Sequence, residues 1–312
     1  MPLHILPPTR RHFLQTTLFG GTAWLASRCS AATESEANDA WWALLSDPHV
    51  AADPKKSARG ITMLDCLNQI IDEILAEPSP PEAVIINGDC AFSKGLAEDY
   101  ATLSTALRRL VDANLPIHMT MGNHDDRGPL YDAFASQRAD NPLVEGKHVS
   151  ILSTPTTNLF LMDSLLEVNV VTGELGQPQL DWLASALDAH AEKPAIVMGH
   201  HNLQFQLKES QTRIGGLKDS QQFVDVLNAR PHVQAYIFGH THHWSVGEMQ
   251  DDLHLVNLPA CSYVFNPAHP NGWVRAKFGP DQLALELRAL DHSHPEHGEQ
   301  HEISYALAAN AR

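Results

Sequence analysis

The stretch Ala83-Val-Ile-Ile-Asn-Gly-Asp89 is an apolar run that stops at a glycine followed by an aspartate. A short apolar run bounded by a turn signal is typical of a buried strand. The chain repeats this arrangement in four further places, where apolar runs end in the polar segments Asp47-Pro-His49, Gly122-Asn-His-Asp125, Gly199-His-His201 and Gly239-His-Thr-His242. The pattern predicts five polar segments, each at the carboxyl end of a strand.

Helix-like segments separate these strands. Amphipathic segments at 61–76 and 96–111 flank the Ala83 run, and Pro178 suits the first turn of a helix from Gln177 to about His190. Alternating strands and helices are typical of βαβ units, and three closing strands are expected near residues 253–258, 273–278 and 283–287. We predict an α/β fold, a four-layer αββα sandwich of two mixed β-sheets flanked by helices.

Both ends of the chain differ from this pattern. Thr9-Arg-Arg-His-Phe-Leu-Gln15 precedes an apolar stretch and then the small residues Ser30-Ala-Ala32. The arrangement resembles a twin-arginine export signal. We therefore expect a signal peptide over residues 1–32, with a retained anchor as the alternative, and an exported protein, periplasmic or extracytoplasmic. One domain is predicted over 33–290, followed by a polar, His-rich tail over 291–312.

The composition limits the classes of partner. The formal net charge of −16 argues against a nucleic-acid polymer, because affinity for polyanions depends on Lys and Arg. No segment reaches the about 20 apolar residues that a membrane-spanning helix needs, so no membrane span is expected. Three cysteines follow the signal, Cys66, Cys90 and Cys261, and this odd number indicates buried thiols rather than a disulfide framework. Nothing in the sequence indicates an oligomeric state.

The five polar segments are expected to converge. In open α/β sheets, ligands bind in the crevice beyond the carboxyl ends of the strands, and glycine lets the backbone approach closely there. In Gly239-His-Thr-His242, alternate residues of an extended loop can direct two imidazoles at neighbouring ions. Carboxylate, amide and imidazole ligands suit Fe, Mn or Zn. The segments together predict a site for two metal ions.

This ordered set resembles the calcineurin-like metallophosphoesterase superfamily over roughly residues 41–257. Gly122-Asn-His-Asp-Asp-Arg127 and the Asp47-x-His49 start are similar to its cyclic-nucleotide and glycerophosphodiester phosphodiesterase branch. The resemblance implies that one metal is bound by Asp47, His49 and His242, that the other is bound by Asn123, His200 and His240, that Asp89 bridges the two, and that His124 lies beside the substrate without binding metal.

The resemblance also implies the chemistry, which is hydrolysis of a small-molecule phosphate ester with a metal-bridging hydroxide as nucleophile. Two metals about 3.5 to 4 Å apart can activate water and stabilise an in-line displacement. His124 can stabilise the developing charge or protonate the leaving group, oriented by Asp125, Asp126 or another carboxylate. Arg127 is a candidate substrate contact.

One sequence difference from a related branch narrows the choice of expected metal ions. Purple acid phosphatases carry a tyrosine three residues after the aspartate of the Gly-Asp segment, where this chain has Phe92. An ordinary iron, manganese or zinc pair is therefore expected. A phosphodiesterase is favoured, and the alternatives are a phosphomonoesterase or nucleotidase at the same site, or a non-catalytic binding protein on the same fold.

Overall fold

The computed structural model describes residues 4–5, 40–135, 142–205, 215–249 and 253–305. Its strands are β1 (His4–Ile5), β2 (Trp42–Leu45), β3 (Ser57–Ala58), β4 (Ile61–Thr62), β5 (Ala83–Asn87), β6 (Ile117–Thr120), β7 (Ser150–Ser153), β8 (Asn158–Leu161), β9 (Ala195–Met198), β10 (Val233–Phe238), β11 (Ser245–Glu248), β12 (His254–Asn257), β13 (Gly272–Phe278), β14 (Gln282–Ala289) and β15 (Gln300–Ser304). Its helices are α1 (Met63–Ala76), α2 (Ala97–Asp112), α3 (Arg127–Ala133), α4 (Gln177–Ala189) and α5 (Ser220–Asn228).

Two large sheets contain most of the strands. The first has the order β1-β6-β5-β2-β13-β14-β15, and the second has the order β11-β12-β10-β9-β8-β7. In the first sheet β2, β5 and β6 are parallel neighbours, while β13, β14 and β15 pair antiparallel. In the second sheet β8, β9, β10 and β12 are parallel, with antiparallel edges at β7 and β11. Both sheets are therefore mixed.

Side chains that alternate along each strand separate the layers. Leu44 of β2 and Ile85 of β5 lie in a core shared with β9 and β10, between the two sheets. Their chain neighbours Leu45 and Ile86 instead pack with α1 and α2 on the outer face. A third core lies between the second sheet and α4 and α5. Because successive residues of a strand point to opposite faces, these cores give the four layers αββα, and the predicted fold class is confirmed.

Helix α1 shows why the outer layer forms. Its buried residues recur at helical spacing, namely Met63, Leu67, Ile70, Ile71 and Ile74. This spacing gives an apolar stripe that one face of a helix can bury against a sheet.

The carboxyl-terminal part of the chain differs from the sequence prediction. Residues 291–299 form turns and β15 pairs antiparallel with β14, so much of the predicted tail belongs to the folded domain. Ile303 and Tyr305 supply the reason, since both are buried in the core between the sheets. Near the start of the chain β1 pairs with β6. The twin-arginine segment lies outside the described residues, and the signal peptide stays a prediction.

Among the helices of the described ranges, none combines the length and the apolar character needed to cross a membrane.

Candidate metal centre

The fold brings all seven predicted metal ligands to one place. They follow the carboxyl ends of five strands, with Asp47 and His49 after β2, Asp89 after β5, Asn123 after β6, His200 after β9, and His240 and His242 after β10. The strands β2, β5 and β6 are neighbours in one sheet, and β9 and β10 are neighbours in the other. The site therefore lies where the ends of both sheets meet. The backbone N–H of His240 donates to Asp47 Oδ2 at 3.1 Å and links the two halves.

The ligand atoms form three overlapping groups, of which one joins His49 and Asp89 to His124 and the other two contain predicted ligands alone. The metal-binding atoms of Asp47, His49 and His242 lie within 4.8 Å of one another, and so do those of Asp89, His200 and His240. The Oδ2 atom of Asp89 lies 3.3 Å from His200 Nε2 and 3.7 Å from His49 Nε2. Asp89 therefore stands between the two groups, where a carboxylate can serve both.

Backbone carbonyls orient the four ligand histidines. The ring nitrogens Nδ1 of His49 and His200 contact the carbonyl oxygens of Phe92 at 3.3 Å and Asn87 at 2.8 Å. The Nδ1 atom of His242 contacts the carbonyl of Tyr263 in the same way. His240 is reversed, because its Nε2 atom contacts the Gly215 carbonyl at 2.6 Å. A nitrogen that donates to a carbonyl leaves the lone pair of the other nitrogen for a metal.

Unpartnered buried atoms test whether the residues fit a metal pair. Asp47 Oδ1, Asn123 Oδ1 and His200 Nε2 are buried and have no hydrogen-bond partner among the described residues. Leaving a buried polar atom unpaired costs about 1–3 kcal/mol. Three of the eight such atoms among the described residues thus belong to predicted ligands, and a cation would satisfy each of these three. The donor set therefore fits two metal ions.

The backbone is strained where the ligands lie. Asp47, His49, Asp89, His240 and His242 all have left-handed backbone, with φ between 47° and 66°. Such a conformation costs a non-glycine residue of order 1–3 kcal/mol and clusters at functional sites. The neighbouring turns are also tight, because a Cβ atom at Gly122 would collide with the backbone nitrogen of Asp89.

The electrostatics keep most ligands in the state that binds metal. Burial raises the pKa of Asp89, but the nearby rings of His200 and His49 more than offset this, and the pKa lies well below its usual value. Burial lowers the pKa of His49 and of His240 to about 4. For His200, burial is outweighed by Asp89 and Asp47, which raise its pKa to about 10. A metal must therefore displace one proton at His200.

An open cavity of about 250 Å³ faces this cluster. Five of the predicted ligands and His124 line one side of it, and the remaining wall consists of Asn169, Val171, Tyr263 and Phe265. The space suits a small ligand that reaches the metal ligands directly.

Comparison with known proteins agrees with this geometry. Residues 42–244 match the calcineurin-like phosphoesterase family. The chain belongs to this family. Its members are dimetal enzymes, so this phosphoesterase is a metal-dependent phosphoric ester hydrolase, as the sequence predicted.

Several curated proteins are similar to this phosphoesterase. A probable cyclic nucleotide phosphodiesterase of Synechococcus sp. is 25% identical over 78% of this chain and 90% of its own length. The 3',5'-cyclic adenosine monophosphate phosphodiesterase CpdA of Pseudomonas aeruginosa is 26% identical over 79% of this chain and 83% of its own length. Among solved structures, a dimetal phosphatase from Danio rerio matches with a TM-score of 0.66 and 15% identity, covering 86% of this chain and 99% of that one. That structure supports the fold alone.

His124 of this phosphoesterase lies at the edge of the cavity. Its backbone N–H donates to Asp89 Oδ1 at 2.8 Å, and its Nδ1 atom contacts the carbonyl oxygen of Ser93 at 2.8 Å. The sequence led us to expect that a carboxylate orients the ring. The partner is instead a backbone carbonyl.

The two candidate carboxylates serve the loops instead. Asp125 is fully buried and accepts hydrogen bonds from the backbone N–H groups of Cys90, Ala91 and Gly122 and from the Tyr100 hydroxyl. Burial raises its pKa to about 6. Asp126 caps helix α3 by accepting from the N–H of Gly128. Both residues hold the loops that carry the ligands.

Arg127 is engaged away from the cavity. Its guanidinium donates to both carboxylate oxygens of Asp163, at 2.7 and 2.8 Å, and to the Leu165 carbonyl at 2.8 Å. These bonds tie α3 to the segment after β8. The predicted contact between Arg127 and substrate stays a prediction.

Sequence reasoning missed four residues of the cavity wall. Tyr263 stacks on the rings of His49 and His242, and Phe265 stacks on His242. Both follow β12, which is parallel to β10 and ends at the same edge. On the other side, the Asn169 N–H donates to the Asn123 carbonyl at 2.6 Å. The strand order identifies this edge of the sheet, but that order is not evident from the sequence.

Proposed function

We propose that this protein hydrolyses 3',5'-cyclic nucleotides to nucleoside monophosphates. The observation that carries the proposal is the complete two-group ligand set, with His124 beside it, facing a cavity of about 250 Å³. Curated relatives named for this activity, similar over more than three quarters of this chain, favour a cyclic diester as substrate.

The residues of this chain have distinct tasks in that reaction. The bound metals would supply Lewis acidity and lower the pKa of coordinated water. Asp47, His49 and His242 would hold one ion, and Asn123, His200 and His240 would hold the other, with Asp89 between the two groups. In the reaction, water oxygen forms a new bond to phosphorus and one ring P–O bond breaks.

His124 handles the proton of the leaving group. The alkoxide that leaves must gain a proton, and the imidazole at the edge of the cavity can donate it through Nε2 while Nδ1 stays with the Ser93 carbonyl. The ring is thus held by one nitrogen and available through the other.

A comparison of substrates tests the proposal. The protein is loaded separately with Mn, Fe and Zn, and kcat/KM is measured on adenosine 3',5'-cyclic phosphate, a glycerophosphodiester and a simple phosphate monoester. We expect the cyclic diester to give the highest value. A clear preference for the monoester would identify a phosphomonoesterase instead, and two bound metals without any turnover would indicate a binding protein.

We also propose that the protein is exported folded through the twin-arginine route, with its metals acquired beforehand. The motif Thr9-Arg-Arg-His-Phe-Leu-Gln15 and the apolar stretch that overlaps and follows it support this. Iron, manganese and zinc all suit the carboxylate, amide and imidazole ligands. The metal ions that bind when the protein folds therefore decide which metal-loaded form is exported.

A further inference from the structure

The far wall of the cavity carries an exposed aromatic ring. Phe265 is 52% exposed, more than any other large apolar side chain that the structure describes as exposed. Its position is nevertheless defined, since its ring stacks on that of the metal ligand His242 at a centroid distance of 4.4 Å. Because the ring also lines the cavity, a ligand bound there can cover its solvent-exposed side.

A second contact shows what kind of group this ring accepts. The guanidinium carbon of Arg59 lies 5.0 Å from the Phe265 ring centroid. Arg59 is itself exposed, on the turn between β3 and β4, so its side chain can move. Nucleobases stack on aromatic rings and on guanidinium planes alike, so a base can insert between the two side chains.

Phe265 lies next to the predicted metal ligands. Phe265 touches a ligand of the metal group formed by Asp47, His49 and His242, whereas the phosphorus must lie at the metals themselves. In a nucleotide, one sugar separates the phosphate from the base. Across the cavity, Val171 and Asn169 supply an apolar side chain and an exposed amide.

We propose that Phe265, flanked by Arg59, forms a nucleobase subsite and determines specificity for nucleotide esters over esters without a base. This inference rests on the proposed function, because only a substrate that carries a base can stack on the ring. Stacking of a base on an aromatic side chain contributes about ten-fold or more in affinity.

The test compares substrates that differ only in the base. kcat/KM is measured for adenosine 3',5'-cyclic phosphate and for methyl riboside 3',5'-cyclic phosphate, with wild type, Phe265→Ala, Phe265→Tyr and the control Leu75→Ala, at equal metal content. We expect wild type to prefer the adenosine compound by about ten-fold. Phe265→Ala should lose this preference, measured as the ratio of the two kcat/KM values, and Phe265→Tyr and Leu75→Ala should keep it.

Binding of the products gives a second measurement. Calorimetric titration with AMP and with ribose 5-phosphate should show tighter AMP binding in wild type and equal binding in Phe265→Ala. An unchanged preference in Phe265→Ala, or equal loss of both ligands, overturns the subsite. If wild type binds AMP more tightly than ribose 5-phosphate but hydrolyses neither cyclic ester, the subsite stands and the proposed reaction fails.

Discussion

At the scale of single residues, Asp89 and His124 adjoin one another but have separable tasks. The N–H of His124 donates to Asp89 Oδ1, yet only Asp89 lies between the two ligand groups. Loss of the Asp89 charge therefore acts on the metals, while loss of the His124 ring acts on proton transfer.

We expect Asp89→Asn to lose bound metal and activity together. His124→Ala should keep two metals and lose about 10² to 10⁴ in kcat. Metal analysis and single-turnover kinetics on the same preparations provide the measurement. Normal turnover of His124→Ala would exclude its role as the acid.

The pair of Arg127 and Asp163 governs stability. Asp163 is fully buried, whereas the Arg127 side chain is 26% exposed. Burial raises the pKa of Asp163, but Arg127 offsets this and holds it below the usual value. A carboxyl group whose pKa is lower in the folded state stabilises the protein at pH values above its unfolded pKa of about 3.9. This contribution is lost as the pH falls through the folded pKa.

We expect Arg127→Met to lower the free energy of unfolding by about 3 kcal/mol at pH 7, because the buried Asp163 carboxylate loses the guanidinium and keeps the backbone N–H groups of His148 and Leu165 as hydrogen-bond donors. The loss should shrink near pH 4, where the carboxyl can take up a proton. Urea unfolding of metal-free wild type and variant at both pH values measures this. KM for the cyclic nucleotide should be unchanged in the metal-loaded variant, and a raised KM would instead support the predicted substrate contact.

At the scale of elements, substitutions in β15 can test whether the folded domain extends beyond residue 290. Ile303 is 3% exposed and packs between the sheets, whereas its neighbour Glu302 points to solvent. We expect Ile303→Ala to destabilise the protein by about 2–5 kcal/mol, with the matched change Glu302→Ala near neutral. Equal effects of the two changes in thermal unfolding would show that residues 300–304 behave as a tail.

The same contrast explains what sequence patterns could predict. The central strands were evident because β5 and β10 are mostly apolar, with Asn87 and Gln234 as exceptions, and are buried at every position. The edge strand β11 (Ser-Val-Gly-Glu) is largely exposed and carries no such signal. Strand β15 was hidden because Gln300 and His301 suggest a polar surface, and its pairing with β14 is a tertiary contact. The short hairpin of β3 and β4 was missed for similar reasons.

At the scale of the whole molecule, the convergence of the predicted ligands could be anticipated because each one follows an apolar strand. The cavity wall could not, since Asn169, Tyr263 and Phe265 follow strands whose neighbours depend on the sheet order. No local pattern encodes that order. The orientation of the His124 ring by a backbone carbonyl was likewise invisible, because a carbonyl belongs to every residue.

The proposed twin-arginine signal leads to a prediction about export. Replacing Arg10 and Arg11 together by Lys preserves the charge but removes the arginine pair that the route is expected to recognise. We expect the variant to remain in the cytoplasm with its activity intact. Cell fractionation followed by an activity assay measures this, and unchanged export would reject the proposed route.

The left-handed backbone at five ligands has a consequence for how this site can change over generations. Aspartate and histidine tolerate that conformation better than bulky or β-branched residues do, so these positions demand both a donor atom and an unusual backbone shape. Glycine would adopt the left-handed conformation easily but has no metal-binding side-chain atom. Valine disfavours that conformation and also lacks such an atom. Drift at these positions therefore leads either back to a residue of the same kind or to a more relaxed protein that no longer binds its metals.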